Sequence, residues 1–273
     1  MKRYTLILLA SVLTLSLAAQ TITLMSFNIR TSTADDGSNN WEYRKEAAAR
    51  MLRAEHPDVV GMQEVRPNQE AFFRERLSDM YDGVSVSRDP SNNNDEACTV
   101  FYNKQKYDLV RTNTFWLSET PDVPSIGWDA MFNRIVTYVY LRDKQTDKQI
   151  LVFNTHLDHV GVVARERSLA LIADSALAIG GDTMPMFVMG DLNVTPDAPE
   201  LTPMWQAMRL TQREAPVTDN GFTFHGFNPV PEKMIDYIFY RNVLPREFHI
   251  VREGYGATYV SDHYPVKAIV DCR

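Results

Sequence analysis

The strongest constraint on this chain is what stands at the ends of its apolar runs. The stretch "MFVMGDLNV" (186–194) is fit for a buried strand, yet it ends in Asp191 and, two residues on, Asn193. "TLMSFN" ends in Asn28, "DVVGMQE" in Glu64 and "ILVFNTH" in His156. Asp236 lies inside "MIDYIF", and "SDHYPV" sets Asp262 and His263 just ahead of another run. A lone buried charge is expensive, so such residues sit at the surface or have partners. One polar strand end reads as a turn or a cap. Six on separate apolar runs are another matter, because adjacent strands bring their ends into one crevice.

The runs themselves predict strands at 22–27, 59–62, 99–102, 135–141, 150–154, 186–189, 235–240 and 266–270. Continuous apolar runs point to strands covered on both faces. Helical spacing appears at 41–55, 68–80, 163–179 and 198–208, the first stopped by His56-Pro57 and the third by Gly180-Gly181. Segments 87–95, 119–132 and 211–233 read as loops. Strands and helices mixed in this way indicate an α/β chain, and no linker-like stretch divides it.

The N-terminus differs from the rest. Lys2 and Arg3 precede an apolar run at 4–17 and the small residues Ser16 to Ala19, the grammar of a secretory signal peptide. The expectation is therefore a leader at 1–19, removed on export to the periplasm or beyond, followed by one domain at 20–273. No stable membrane span remains after that cleavage, and a monomer is expected. A formal net charge of −7 without a basic run argues against tight, nonspecific duplex binding. Two cysteines, Cys98 and Cys272, are too few for a disulfide scaffold, and pairing or two free thiols are equally open.

Carboxylate and amide oxygens suit hard cations such as Mg²⁺ or Mn²⁺. The sequence has no C-x-x-C, no H-E-x-x-H, no G-x-S-x-G and no Walker A loop. An oxygen-ligated metal with two histidines fits phosphoester hydrolysis, in which metal lowers the pKa of water and histidines exchange protons. Arg134 opens the run "RIVTYVYL", from which a guanidinium can reach a phosphate bidentately. Arg165 begins a helix and is a weaker phosphate candidate. Trp128 and His225 are candidates for a substrate wall, with core packing as the alternative; His159 and Trp116 are ambiguous in the same way.

"MSFNIR", "GMQEV", "NTHLDH", "MGDLNV", "IDYIF" and "SDHYPV", in this order, resemble the endonuclease/exonuclease/phosphatase superfamily, whose fold is that of deoxyribonuclease I. The resemblance implies an α/β (α+β) four-layer sandwich, two packed mixed β-sheets flanked by helices, with the site at one edge. It makes Glu64 the principal metal ligand, helped by Asn28 and Asp262. Asp191 and Asn193 would orient or deprotonate the attacking water and hold a phosphate oxygen or second metal. His263 would be the acid–base histidine, oriented by Asp236, and His156 the second phosphate-facing histidine. Glu96 matches the position of a carboxylate partner to His156, an exposed loop acid being the alternative. One departure is Met234, where many members carry Arg or Lys.

The expected function is a secreted, Mg²⁺- or Mn²⁺-dependent phosphoesterase cutting phosphodiesters, with nucleic acid or a small phosphodiester as partner. A sphingomyelinase or an inositol- or sugar-phosphate phosphatase is the alternative, and a non-catalytic binding module on the same fold a further one.

Overall fold

The computed structural model describes residues 20–92, 94–228 and 233–272. The expected leader lies outside the described residues. The strands are β1 (Gln20–Asn28), β2 (Val59–Val65), β3 (Tyr81–Val84), β4 (Ala97–Asn103), β5 (Tyr107–Trp116), β6 (Ile135–Asp143), β7 (Gln149–His156), β8 (Met186–Asp191), β9 (Arg209–Leu210), β10 (Val217–Thr218), β11 (Asp236–Arg241), β12 (Val243–Ile250) and β13 (Val266–Cys272). The α-helices are α1 (Trp41–Glu55), α2 (Pro67–Arg76), α3 (Val162–Gly180), α4 (Thr202–Ala207) and α5 (Thr211–Glu214).

They build two mixed sheets, ordered β10-β12-β13-β1-β2-β4-β3 and β5-β6-β7-β8-β11-β9. The sheets lie face to face, β1, β2 and β4 of the first against β8, β7 and β6 of the second. Strand alternation explains the layers. Ile22 and Leu24 of β1, Val59 of β2 and Val100 of β4 join the core between the sheets. Their neighbours Met25, Phe27, Val60, Met62 and Phe101 turn outward, onto Ala47, Ala48, Met51 and Leu52 of α1 and Phe73 of α2. Leu169, Ile172, Ala173 and Ala176 of α3 cover the second sheet. Two layers of sheet between helices is the expected deoxyribonuclease I-like arrangement.

Two polar features cross the core and fix the sheets on each other. Gln63 Nε2 donates to Asn154 Oδ1 at 2.7 Å, and Asn154 Nδ2 donates to the carbonyl oxygens of Met62 (2.8 Å) and Thr99 (2.9 Å). Gly61 is obligatory beneath this bridge, since a Cβ there would lie 2.7 Å from the Asn154 side chain. Asn154, with both its amide groups engaged, specifies one register between layers, whereas apolar contacts alone tolerate sliding; Gln63 Oε1 is left without a partner.

Several elements differ from the sequence reading. β3, β5, β9, β10 and β12 were not expected, and 198–208 is a 3₁₀ turn (Pro199–Leu201) running into α4. Segment 211–233, expected as loop, begins with α5 and contains β10. Cys98 and Cys272 are buried and unpaired.

Candidate active site

The parallel strands β1, β2, β7 and β8 all end at one edge of the sandwich, where antiparallel β11 begins. Register then does the rest: His156 pairs with Asp191, and Asp191 with Asp236, giving three titratable residues in one row across β7, β8 and β11. In the other sheet Asn28 stands opposite Gln63, beside Glu64. The loop after Val260 brings Asp262 and His263 against both, its Ser261 hydroxyl donating to Asn28 O at 2.6 Å.

Gly190 shows why the row can exist. Its φ is +150°, and a Cβ would lie 1.9 Å from Thr155 O on β7, so only glycine lets the two strands close just before His156 and Asp191. Four non-glycine residues at this edge hold left-handed backbone, Arg30 (φ 58°), Glu64 (φ 62°), Asn193 (φ 53°) and Phe227 (φ 57°). Glu64 sits where the β2–β4 register shifts between Met62 and Val65, so the bulge turns its side chain out of the ladder. Such conformations cost on the order of 1–3 kcal/mol each and persist where the surroundings over-determine them.

Asn28 Nδ2 donates to Glu64 Oε1 and to Asp191 Oδ2, both at 3.0 Å, and Thr31 N–H donates to Glu64 Oε2 at 2.8 Å. Asn193 N–H caps Asp191 Oδ1 at 3.0 Å, while its side-chain amide donates to Leu157 O. His263 Nδ1 lies 2.9 Å from Asp236 Oδ2. The Nε2 atoms of His263 and His156 approach Asp191 Oδ2 at 3.7 and 3.6 Å. Burial opposes a charge on His263, but Asp236, by attraction and by hydrogen bond, with Asp191 and Asp262, holds it protonated, at about 10. Burial drives His156 the other way, well below its ordinary value, and the Arg134 and Arg88 guanidiniums add to it. One carboxylate thus stands between a cationic and a neutral imidazole.

Burial raises Asp191 and Asp262 above the usual carboxylate range, His263 opposing in both cases, with Asp236 adding at Asp191 and Glu64 at Asp262. Carboxylates that burial pushes toward their neutral form suit a divalent cation, and Glu64 and Asp262 supply the oxygen donors that Mg²⁺ or Mn²⁺ favours. Asn28, expected as a third ligand, turns its Nδ2 to Glu64 while its Oδ1 accepts from Arg30 N–H at 3.0 Å, so it positions Glu64 instead. Asp191, Asp236 and His263 also cluster closely enough to hold an ion. That set is the poorer fit, because Nδ1 of a protonated His263 is already committed to Asp236.

These groups open into a cavity of about 780 Å³, lined among others by Glu64, His156, Asp191, Asn193, Asp262, His263, Arg134 and Glu96. Arg134 is anchored through Nε on Asp158 Oδ2 (3.2 Å), with Nη2 3.1 Å from His159 Nδ1. Four expectations need correcting. Glu96 lines the cavity, but its oxygens are taken by Arg88 (2.9 Å) and Arg66 (3.7 Å), so a guanidinium pair, not His156, partners it. Arg165 is tied to Glu200 at 2.9 Å and lies off the cavity lining. His225 is fully buried between Tyr259 and Tyr264, where its backbone N–H donates to Asp262 O; it supports the site from behind instead of walling it. Trp128 is half-buried and likewise outside the lining, and Met234 is buried.

The sequence reading missed Arg30, Arg66, Arg88, Phe132, Phe224, Phe227 and Lys233, which also line the cavity. Arg30 stood inside "MSFNIR"; the others lie outside the strand-end motifs and carried no signal of their own. Phe132, 40% exposed, stacks on His159 at 6.0 Å and lies beneath Arg88 at 5.2 Å.

The comparisons agree with this geometry. A family model for the endonuclease/exonuclease/phosphatase family matches residues 25–263. A family member of known structure from Bacteroides vulgatus is 37% identical, with a TM-score of 0.88 over 93% of this chain and 100% of that one. A mannosyl-6-phosphatase from Bacteroides thetaiotaomicron is 32% identical, with a TM-score of 0.83 over 91% of this chain and 99% of that one. A CCR4-Not 3′-5′-exoribonuclease subunit from Emericella nidulans is 25% identical over 58% of this chain but only 32% of its own length. An uncharacterised mimivirus protein is 31% identical over 52% of this chain and 58% of its own. The match thus spans little more than half, or less, of these two curated relatives. With the six motifs, the two sheets and the strand-edge site in place, the chain belongs to the endonuclease/exonuclease/phosphatase family.

Proposed function

We propose that this protein is a phosphoester hydrolase that is exported, depends on Mg²⁺ or Mn²⁺, and acts on the phosphate ester of a small hydroxyl-rich alcohol such as a sugar. The observation that carries the reading is the row His156–Asp191–Asp236 with His263 docked on Asp236. Glu64 and Asp262 would hold the metal, with Asn28 positioning Glu64, and the metal would supply neutralisation of phosphate oxygens and a lowered pKa of water. Asp191 and the side-chain oxygen of Asn193 hold the attacking water in line with the phosphorus. Asp236 fixes Nδ1 of His263, leaving Nε2–H to donate to a phosphate oxygen, while neutral His156 adds a hydrogen bond without further charge. Arg134 gives the phosphate a guanidinium held in place by Asp158.

Two observations favour a small substrate over a polymer. Arg30, Arg66, Arg88 and Arg134 each have a carboxylate partner, which leaves little uncompensated charge to track a nucleic-acid backbone. Phe132, partly exposed in the cavity, stands beside the Arg88–Glu96 pair, which suits hydroxyl groups. The likeness to a mannosyl-6-phosphatase over nearly the whole chain points the same way. The phosphodiester preference expected from sequence stays as the second reading, favoured by the exoribonuclease likeness.

The test is product release from mannose 6-phosphate, inositol phosphates, sphingomyelin, RNA and DNA, each with Mg²⁺ and with chelator. Metal-dependent turnover, fastest on a sugar monoester, is expected. No turnover on any would overturn the hydrolase reading, and faster turnover on a diester would overturn the substrate reading alone. Export is checked by mass spectrometry of the mature N-terminus.

A further inference from the structure

We propose that Arg44 is a positioning residue that locks the Asn28–Glu64 wall of the cavity to the Asp262–His263 wall. It is one of the largest fully buried side chains, at 1% exposure, and it lies on α1, away from the cavity lining. Among the described residues no carboxylate pairs with it. Its guanidinium instead donates to four carbonyl oxygens: Asn39 (2.9 Å), Ile29, Arg30 (3.0 Å) and Val260 (3.1 Å). Ile29 and Arg30 directly follow Asn28, and Val260 leads into Ser261, Asp262 and His263. One planar fork on α1 therefore ties together the loop after Asn28 and the loop at Val260, which lies 216 residues from Arg44 in sequence.

A cation buried without a counter-carboxylate is expensive and would be selected against as mere packing. Burial indeed lowers Arg44 to about 10, with Asp262, Asp36 and Glu64 acting from a distance to keep the charge. Those acids include two of the proposed metal ligands, so the fork also adds positive potential where the carboxylates are short of it. Trp41 and Phe227 hold its faces at 5.4 and 5.8 Å, and Phe227 lines the cavity. Lysine could keep the charge but not four divergent donor directions. Unlike Arg134, Arg44 touches nothing that reacts; it sets the span between Asn28 and Thr31, which hold Glu64, and the loop that carries Asp262.

This inference rests on the metal-dependent reading above, so its test carries a readout other than turnover. Arg44→Lys and Leu52→Ala are compared with the unaltered protein. Leu52 is equally buried on the same helix but contacts neither loop's carbonyls, so it reports plain destabilisation. The melting temperature is followed through a Mg²⁺ titration, together with kcat and KM. Arg44→Lys should shift the Mg²⁺ midpoint by about tenfold or more and lower kcat more than it raises KM. Leu52→Ala should lose stability at an unchanged midpoint. An unchanged midpoint in Arg44→Lys, or an equal shift in Leu52→Ala, overturns the proposal. Amide exchange on the unaltered, metal-free protein provides an arm that needs no variant and no metal: residues 29–31 and 260–263 should open together, and independent opening overturns the lock. Absence of any Mg²⁺ response in the unaltered protein would instead sink the metal-dependent reading.

Discussion

The two ends of the sandwich make an instructive pair. At the end opposite the site, the β11–β12 turn, α4 and the segment 182–185 enclose a second hollow of about 990 Å³, larger than the 780 Å³ cavity. Its charged pairs are loose and wet: Arg241 with Asp182 at 3.8 Å, Asp182 being 98% exposed, and Arg209 with Glu214 at 3.5 Å. At the site end Asp191, Asp236 and His263 are at most 4% exposed, locked by hydrogen bonds and set against left-handed backbone. Volume is therefore a poor guide to function. Buried charge brought together at a structural cost is the better one, because such costs cluster where a ligand or a reaction makes use of them.

The comparison can be broken at several points. His263→Ala should reduce kcat by about 10²–10⁴-fold, the usual worth of a positioned acid–base group, with the fold intact by circular dichroism. Turnover within threefold of the unaltered enzyme would mean the buried cluster is only structural. Gly190→Ala meets Thr155 O at 1.9 Å and should cost on the order of 3 kcal/mol in denaturant unfolding. A neutral result would show that β7 and β8 do not need this close approach. Asp236→Asn removes the main source of the raised His263 pKa and leaves burial, which acts downward, opposed only by Asp191 and Asp262. NMR titration should then find His263 well below about 10, and an unmoved titration would refute the Asp236 assignment. The smallest effect belongs to the far end. Leu244, exposed in the larger hollow, should be replaceable by Ala with kcat unchanged.

The same contrast explains what the sequence could reveal. β1, β2, β7, β8 and β11 were legible because both their faces are buried, which leaves uninterrupted apolar runs ending abruptly in chemistry. β12 was not: "VLPREFHI" lies near the sheet edge, alternates buried with wetter positions and carries Pro245 and Arg246. β5 hides for a similar reason, its middle residues Val110 to Asn113 being exposed. The residues of the site that strands deliver were readable by position. Those that loops deliver, such as Arg88 and Phe132, depend on tertiary packing that no local pattern encodes. Glu96 was placed at the right cavity with the wrong partner, because Arg66 and Arg88 reach it from α2's start and the loop after β3. Arg44 sits in an ordinary-looking amphipathic helix, where only its carbonyl partners reveal what it does.

The most direct test is Asp191→Asn, read as phosphate release with saturating Mg²⁺ and, in the same preparation, as metal-free thermal stability. Burial raises the Asp191 pKa, so ionising it weakens the metal-free fold as pH rises from the ordinary carboxylate value through the raised one. Removing that charge should leave stability at pH 8 near or above the unaltered protein's while turnover collapses. Full turnover, or a collapse of folding in its place, would contradict the claim that this carboxylate is buried for catalysis and not for structure.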